Sequence, residues 1–324
     1  ANSDFTLTNT QLSSSALGID ALNGVEQAFL TGGASANVIS ASAFTAGSVT
    51  LVGGGGTDNL TGGSQGDVLT GNDGNDTLTG GNGTDRVSES ADTSFTLTNI
   101  SLTSAATGSD QLASIEQASL VGGNGNNTID AAGFTAGGTT LDGGAGNDTL
   151  TGGTQGDILL PGAGDDAVTG GNGTDRVQDG GVGFSLSDAA LTGNGSDALT
   201  GIEQASLDGS AGNDGFTVSG WTKQATLAGG AGNDSYTIGF SGSGTVVVND
   251  SAGTDAATLL GSSGVDPLVS TATQVSRGPA ETVSFTGVEG RLIDAGAAND
   301  GITVIGGSGT VRGSEGDDAI EVAA

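Results

Sequence analysis

The sequence predicts an all-β chain, a right-handed parallel β-solenoid with coils of about 18–21 residues, short units that become stable only by stacking. Two observations within the repeat predict it. Glycine-rich turns recur at fixed intervals: Gly32, Gly53 and Gly71 are separated by steps of 21 and then 18, and Gly122, Gly143 and Pro161 repeat that spacing. Between turns, apolar and small polar residues alternate, as at Phe5/Leu7, Phe95/Leu97, Phe216/Val218, Tyr236/Ile238 and Ile302/Val304, which turns one face inward and one outward. The helical period is absent, and the glycines oppose it. A coil this short cannot bury its inward face alone, so stacked coils must share a narrow apolar ladder. Parallel pairing between coils needs only about 4.8 Å of rise for each.

In chain order, FTLTN at Phe5 is followed by DALNGVEQAFL from Asp20 to Leu30. The same order returns at Phe95 with DQLASIEQASL from Asp110, and at Phe184 with DALTGIEQASL from Asp197. A truncated fourth copy is expected at Phe285, FTGVEGRLI. These define superrepeats of about ninety residues at 1–92, 93–181, 182–258 and, in part, 285–324, within one continuous solenoid over 1–324. The third copy spaces its turns at Gly209, Gly229 and Asp250 by steps of 20 and 21. The stretch 259–284 has Pro267, Pro279 and Arg277 but no glycine-rich acidic turn, and is expected to be an irregular loop or coil.

Within this frame lie two unbroken runs of four nine-residue units. Gly53 to Ser88 reads GGGGTDNLT, GGSQGDVLT, GNDGNDTLT and GGNGTDRVS; Gly143 to Gln178 reads GGAGNDTLT, GGTQGDILL, PGAGDDAVT and GGNGTDRVQ. They resemble the G-G-x-G-x-D-x-U-x nonapeptide of RTX, or haemolysin-type, calcium-binding β-roll proteins. Four units match every fixed position; Gln65, Gln155, Asn72 and Pro161 depart from it. Glycine permits the positive φ that turns carbonyl oxygens toward one point, and the sixth-position carboxylate adds charge to an all-oxygen cage suited to a hard cation. Nine residues make half a coil, so turns two units apart stack on one edge. That pairs Asp58 with Asp76, Asp67 with Asp85, Asp148 with Asp166 and Asp157 with Asp175. The resemblance implies a Ca²⁺ between each pair, so multiple calcium ions as cofactors.

Looser turns carry Asp214, Asp234, Asp300 and Asp318 at the sixth position, where a metal ligand and a plain turn aspartate are both open readings. At Asn37 and Asn127 the neutral residue favours a stacked asparagine turn over a metal site. The recurring pairs Asp20/Glu26, Asp110/Glu116 and Asp197/Glu203 fit structural or accessory metal roles better than paired-carboxylate catalysis. Trp221 and Tyr236 are expected to pack rather than bind sugar.

Composition narrows the function. The 64 glycines would suit collagen, but no G-X-Y triplet runs through the chain, and 34% hydrophobic residues are too many for a solvated linker. A net charge of −31, from 37 acidic against 6 basic residues, disfavours nucleic acid and anionic membrane surfaces. Without cysteine or histidine there are no disulfides, thiolate sites or His-based triads. No apolar run approaches the ~18 residues of a membrane-spanning helix. No signal peptide is evident, and a chain starting at Ala1 without methionine is expected to be processed or part of something longer. Two carboxylates ~5 Å apart at an effective dielectric of ~20 repel by roughly 3 kcal/mol. Repeated along an edge, that exceeds the ~5–15 kcal/mol by which domains are usually stable, so folding is expected to be coupled to calcium.

The expected protein is therefore a non-enzymatic, calcium-binding structural module of the cell surface, matrix or an extracellular filament. Uncapped ends suggest end-to-end self-association or continuation in a longer array. An adhesin or ice-binding module with a flat solenoid face is the first alternative, an accessory module of a secreted polysaccharide-active enzyme the second. Outward positions vary among Thr, Ser, Ala, Gln and Asn, which speaks against ice binding, and scattered basic residues speak against a catalytic groove.

Overall fold

A computed structural model describes residues 2–240 and 244–322; Ala1, residues 241–243 within the expected third repeat, and residues 323–324 lie outside the described residues. Among the described residues no helix occurs, so none is long and apolar enough to cross a membrane. Contacts group the chain into two compact units, Ala1–Asp175 and Arg176–Ala324.

In the first unit, strands Ala28–Gly33, Val49–Gly55, Val68–Asp73 and Arg86–Ser90 pair in parallel as one sheet. Strands Val38–Ala43, Asn59–Thr61 and Thr77–Thr79 form the second. Leu30 lies beside Leu51 and Leu51 beside Leu69, the longer and then the shorter of the two expected coil steps; Ile39, Leu60 and Leu78 follow the same order. The eighth residues of the four tandem units, Leu60, Leu69, Leu78 and Val87, feed the two sheets alternately and are fully buried. The second block repeats this with Leu120, Leu141 and Leu159 on one sheet and Ile129, Leu150 and Val168 on the other. Each buried leucine stabilises the stack by roughly 1.5–3 kcal/mol before chain entropy is set against it.

The turns explain the glycines. Gly54 has φ +109°, and a Cβ there would lie 2.1 Å from the Gly33 carbonyl oxygen of the preceding coil. Asn72 fills the equivalent second position at φ +62°, a left-handed conformation that asparagine tolerates better than most residues.

The regular coil is interrupted by three-stranded antiparallel meanders, which alternation alone did not reveal. Phe5–Thr8, Gln11–Ser14 and Gly18–Ala21 form one, and Phe95–Thr98, Ser101–Ser104 and Gly108–Ala113 the next. In the latter the first strand pairs forward, Phe95 beside Ile129, while the last pairs backward, Leu112 beside Leu78. The step from Thr77 to its parallel neighbour Gln111 therefore takes nearly twice the chain of a short coil. The FTLTN motif is thus the opening strand of a meander rather than part of an ordinary coil. A tight hairpin and a solenoid strand share period two, so pattern alone cannot separate them.

The second unit carries a meander at Phe184–Ser187, Ala190–Thr192 and Ser196–Thr200. Parallel coils follow, with Ala205 beside Ala225 and Ala225 beside Val246. Its aromatic ladder stacks Phe184 on Phe216 (5.7 Å) and Phe216 on Tyr236 (5.1 Å); Tyr236 and Trp221 are both buried. The stretch 259–284, expected to be irregular, instead holds most of a further meander: Pro267–Ser270, Gln274–Arg277 and Glu281–Thr286. Phe285 accordingly lies in the meander's last strand, and the fourth copy begins earlier than the motif suggested. Pro267 is compatible because it opens its strand, where no ladder donor is needed.

Leu69→Ala should cost the calcium-loaded protein about 2–5 kcal/mol, because a fully buried rung cannot collapse between rigid neighbours. The exposed substitution Asn59→Thr should stay within about 0.5 kcal/mol. Urea unfolding midpoints measure both.

Candidate metal centres along the turn edges

A sixth-position aspartate ends a turn just before a strand, and along the ladders that follow a backbone amide donates to the carboxylate of the next coil. On one edge the amide of Asn37 donates to Asp58 Oδ1 (2.6 Å), that of Asp58 to Asp76 Oδ1 (2.7 Å) and that of Asp76 to Asp110 Oδ1 (2.9 Å). On the other edge Val49 donates to Asp67 Oδ1 (2.8 Å), Asp67 to Asp85 Oδ1 (2.8 Å) and Asp85 to Glu116 Oε2 (2.9 Å). In the second block Asn127 donates to Asp148 and Asp148 to Asp166, both at 2.7 Å. Thr139 donates to Asp157 (2.6 Å), and Asp157 to Asp175 (2.8 Å). The second unit links Asp214 to Asp234 (2.7 Å), Asp234 to Asp255 (2.8 Å) and Asp255 to Glu289 (2.8 Å). It also links Asp266 to Asp300 (2.8 Å) and Asp300 to Asp318 (3.0 Å).

All four pairs expected from the tandem units are thus consecutive rungs. The sequence did not single out Asp255, Asp266 or Glu289. It left Asp110/Glu116 between structural and accessory roles, and the two residues serve different ladders. They carry each ladder across the inserted meander, which is why an acidic residue recurs at both positions. Their counterparts Asp20 and Glu26 are exposed, whereas Asp197 is buried.

The second carboxylate oxygen divides the rungs into two kinds. Asp67 Oδ2 accepts from the Gly63 amide (2.5 Å) and Asp157 Oδ2 from the Gly153 amide (2.6 Å), so each oxygen of both carboxylates has a donor. These are the units in which Gln65 and Gln155 replace the fourth-position glycine. Asp214 is closed similarly by the Ser210 amide and hydroxyl. In contrast, the Oδ2 atoms of Asp58, Asp76, Asp85, Asp148, Asp234 and Asp300 are buried with no hydrogen-bond donor. Asp318 is only half-buried.

These open oxygens face other oxygens. A Cβ on Gly53 would lie 2.3 Å from Asp58 Oδ2 and 2.9 Å from the Gly71 carbonyl oxygen. On Gly80 it would meet Asp85 Oδ2 (2.5 Å) and the Ser114 carbonyl (2.0 Å), and on Gly143 Asp148 Oδ2 (2.4 Å) and the Pro161 carbonyl (2.7 Å). Acceptors brought together without a donor repel unless a cation lies among them. Such an all-oxygen donor set fits Ca²⁺.

Burial raises the pKa values of Asp58, Asp67, Asp76, Asp148, Asp157 and Asp234 from the ordinary aspartate value, against the lowering effect of the ladder amides. Asp85 is pushed up to about 6 by burial, with Asp67 and Glu116 adding repulsion. Asp110 rises to about 7 through burial, with Asp76 and Glu89 adding to it. For a carboxyl whose pKa is higher folded than unfolded, protonation favours the fold; that stability is lost as pH rises through the folded pKa. With calcium chelated, the strand signal and thermal midpoint should therefore increase as pH falls from 8 to 5. A decrease on acidification would contradict the assignment of buried, uncompensated carboxylates.

The family model for the RTX calcium-binding nonapeptide repeat matches residues 52–87, 119–133, 135–168 and 142–177. No curated protein matches the chain. The matched residues include both tandem blocks, whose turns form the ladders of stacked carboxylates. Over those matched segments, between residues 52 and 177, the chain is similar to the RTX calcium-binding nonapeptide repeat.

Proposed function

We propose that this chain is a non-catalytic, calcium-rigidified module of an extracellular structure, a cell surface, matrix or filament, and that it folds as Ca²⁺ enters its turns. The observation that carries the reading is the set of buried Oδ2 atoms without donors, of which those of Asp58, Asp76, Asp85, Asp148 and Asp234 lie near a carbonyl or carboxylate oxygen of the next coil. With 37 acidic residues against 6 basic ones, the chain cannot neutralise these edges itself. Asp58, Asp76, Asp85, Asp148, Asp234 and Asp300 are the principal ligands in this reading. Asp166 and Asp175 complete their stacks, and Asp67, Asp157, Asp214 and Asp318 act mainly as rungs.

Extracellular placement follows from affinity: modules of this kind bind at roughly 10⁻⁴–10⁻³ M, so cytosolic calcium would leave them empty. Secretion as an unfolded chain, with folding outside, is consistent with that. End-to-end association is the corresponding proposal for assembly.

Circular dichroism with calcium and with EGTA tests the central claim. Strand signal should appear cooperatively with Ca²⁺ in the ~10⁻⁴–10⁻³ M range, and an unchanged signal in EGTA would sink it. The ligands also separate from the rungs. Asp85→Asn should move the calcium midpoint up by about tenfold, on the order of 1.4 kcal/mol. Asp67→Asn instead sets an amide donor against the Gly63 N–H; it should cost the loaded protein about 1–3 kcal/mol and leave the midpoint nearer wild type. Electron microscopy of the loaded chain distinguishes filaments from monomers.

A further inference from the structure

We propose that Asp234, Asp250 and Asp255, with the Tyr236 hydroxyl beside them, form a divalent-cation site of a second kind, in which a first-position carboxylate replaces the usual glycine. The site lies outside the segments matched by the nonapeptide model. It shares with the proposed function the preference of hard cations for oxygen, but uses a ligand the repeat does not supply. In the unit D-S-A-G-T-D-A-A-T from Asp250, aspartate stands where the tandem blocks carry glycine or Pro161.

Geometry brings the three together. One oxygen from each carboxylate lies within 4.8 Å of the others, and all three residues are buried. A Cβ on Gly229 would lie 2.2 Å from Asp234 Oδ2, 2.3 Å from Tyr236 Oη and 2.5 Å from Asp250 Oδ2. The space above Gly229 is therefore walled by oxygen from three side chains.

Hydrogen bonding leaves this space unsatisfied. Asp234 Oδ1 accepts from the Asp214 amide, Asp255 Oδ1 from the Asp234 amide, and Asp250 Oδ1 from the Ser251 amide. Tyr236 donates to Asp250 Oδ2 at 2.5 Å. Asp234 is 2% exposed, and its Oδ2, aimed into the same space, has no donor. Tyr236 directs its own proton to Asp250, so it contributes a neutral oxygen and no competing charge.

Two places elsewhere in the chain bear on the reading. In the first unit Glu89 also stands at a first position: its Oε1 accepts from the Gly71 and Asn72 amides. Its Oε2 is buried without a donor, as are Asp76 Oδ2 and Asp110 Oδ2. In the last meander, by contrast, the buried Asp266 and Glu281 are bridged by Arg277 at 2.7 Å to each. The chain thus supplies its own cation at one buried acidic group. Among the described residues, no lysine or arginine makes an ion pair with Asp234, Asp250 or Asp255.

The test uses the full chain loaded with Ca²⁺ and then titrated with Tb³⁺, whose emission is sensitised by a neighbouring aromatic ring. Tyr236 is the sole tyrosine, and Trp221→Phe removes the other strong sensitiser. In that background Tb³⁺ emission should be strong, and Asp250→Asn should reduce it several-fold. Equilibrium dialysis should show one Ca²⁺ fewer per chain, with calcium-dependent strand signal retained. Asp250→Gly, which restores the repeat's own first-position residue, gives the same readouts should the asparagine variant fold poorly. Unchanged emission and stoichiometry in the variant that folds would overturn the site. Loss of emission in a chain whose strand signal ignores EGTA would uphold the site and reject calcium-coupled folding; the converse pair of results would do the reverse.

Discussion

The acidic turns of this protein depend on carboxylates that do two opposed things. Their Oδ1 accepts the amide of the preceding coil's turn, which satisfies a buried donor at the point where the chain leaves one sheet for the other. In doing so it places like charges one coil apart along a buried edge, where the Coulomb cost is least screened. Asp58, Asp76 and Asp110 show both effects at once, linked through amide hydrogen bonds and each left with a buried oxygen that has no donor. The apolar ladder through Leu60 and Leu78 lies beside these turns in the same register, so the hydrophobic stack cannot close without bringing the carboxylates together. Core packing and edge repulsion are therefore coupled by construction.

In the tandem blocks, the residues at the turn's fourth and fifth positions track how much of that conflict remains. Where glycine stands fourth, as at Gly56 with φ +105°, the carboxylate's second oxygen stays open. Where Gln65 or Gln155 stands there, the turn offers the Gly63 or Gly153 amide to that oxygen. The two glutamine units, which also carry Gly66 and Gly156 at the fifth position, are thus the ones whose carboxylates have a donor on each oxygen.

Much of this was legible in the residues themselves. Period and alternation identified the sheets; the eighth-position Leu60, Leu69, Leu78 and Val87 were the core, and the pairing of Asp58 with Asp76 followed from the half-coil length. The meanders were not legible, because Phe5–Thr8 and Phe95–Thr98 alternate as any solenoid strand does and only long-range pairing separates hairpin from coil. The last meander was hidden further by Pro267 and by the lack of an FTLTN motif. The roles of Asp110, Glu116 and Glu289 depend on that hidden topology, since each takes up a ladder from a rung on the far side of a meander. Asp255, by contrast, is the sixth residue of the unit that opens at Asp250 and lies one regular coil on from Asp234, so its place in the ladder was legible from the spacing. Which oxygens are open could have been suspected from Gln65 and Gln155, but only the turn's backbone conformation shows why.

Arg277 indicates what kind of neutralisation the acidic groups require. It bridges Asp266 and Glu281 in a largely buried setting, a geometry in which desolvation is offset only when both partners are well placed. A guanidinium of this kind is permanent, so that part of the chain does not depend on solution conditions for its charge balance. The open rungs have no such partner, and their burial raises carboxyl pKa values instead. A proton, a guanidinium and a metal ion are therefore alternative answers to one electrostatic problem, and they differ in what controls them: pH, sequence and calcium concentration respectively. A chain that used arginine at every rung would fold unconditionally. Arginine in the last meander and open aspartates in the glycine-rich turns thus separate acidic groups that the chain neutralises itself from those left to a proton or an ion.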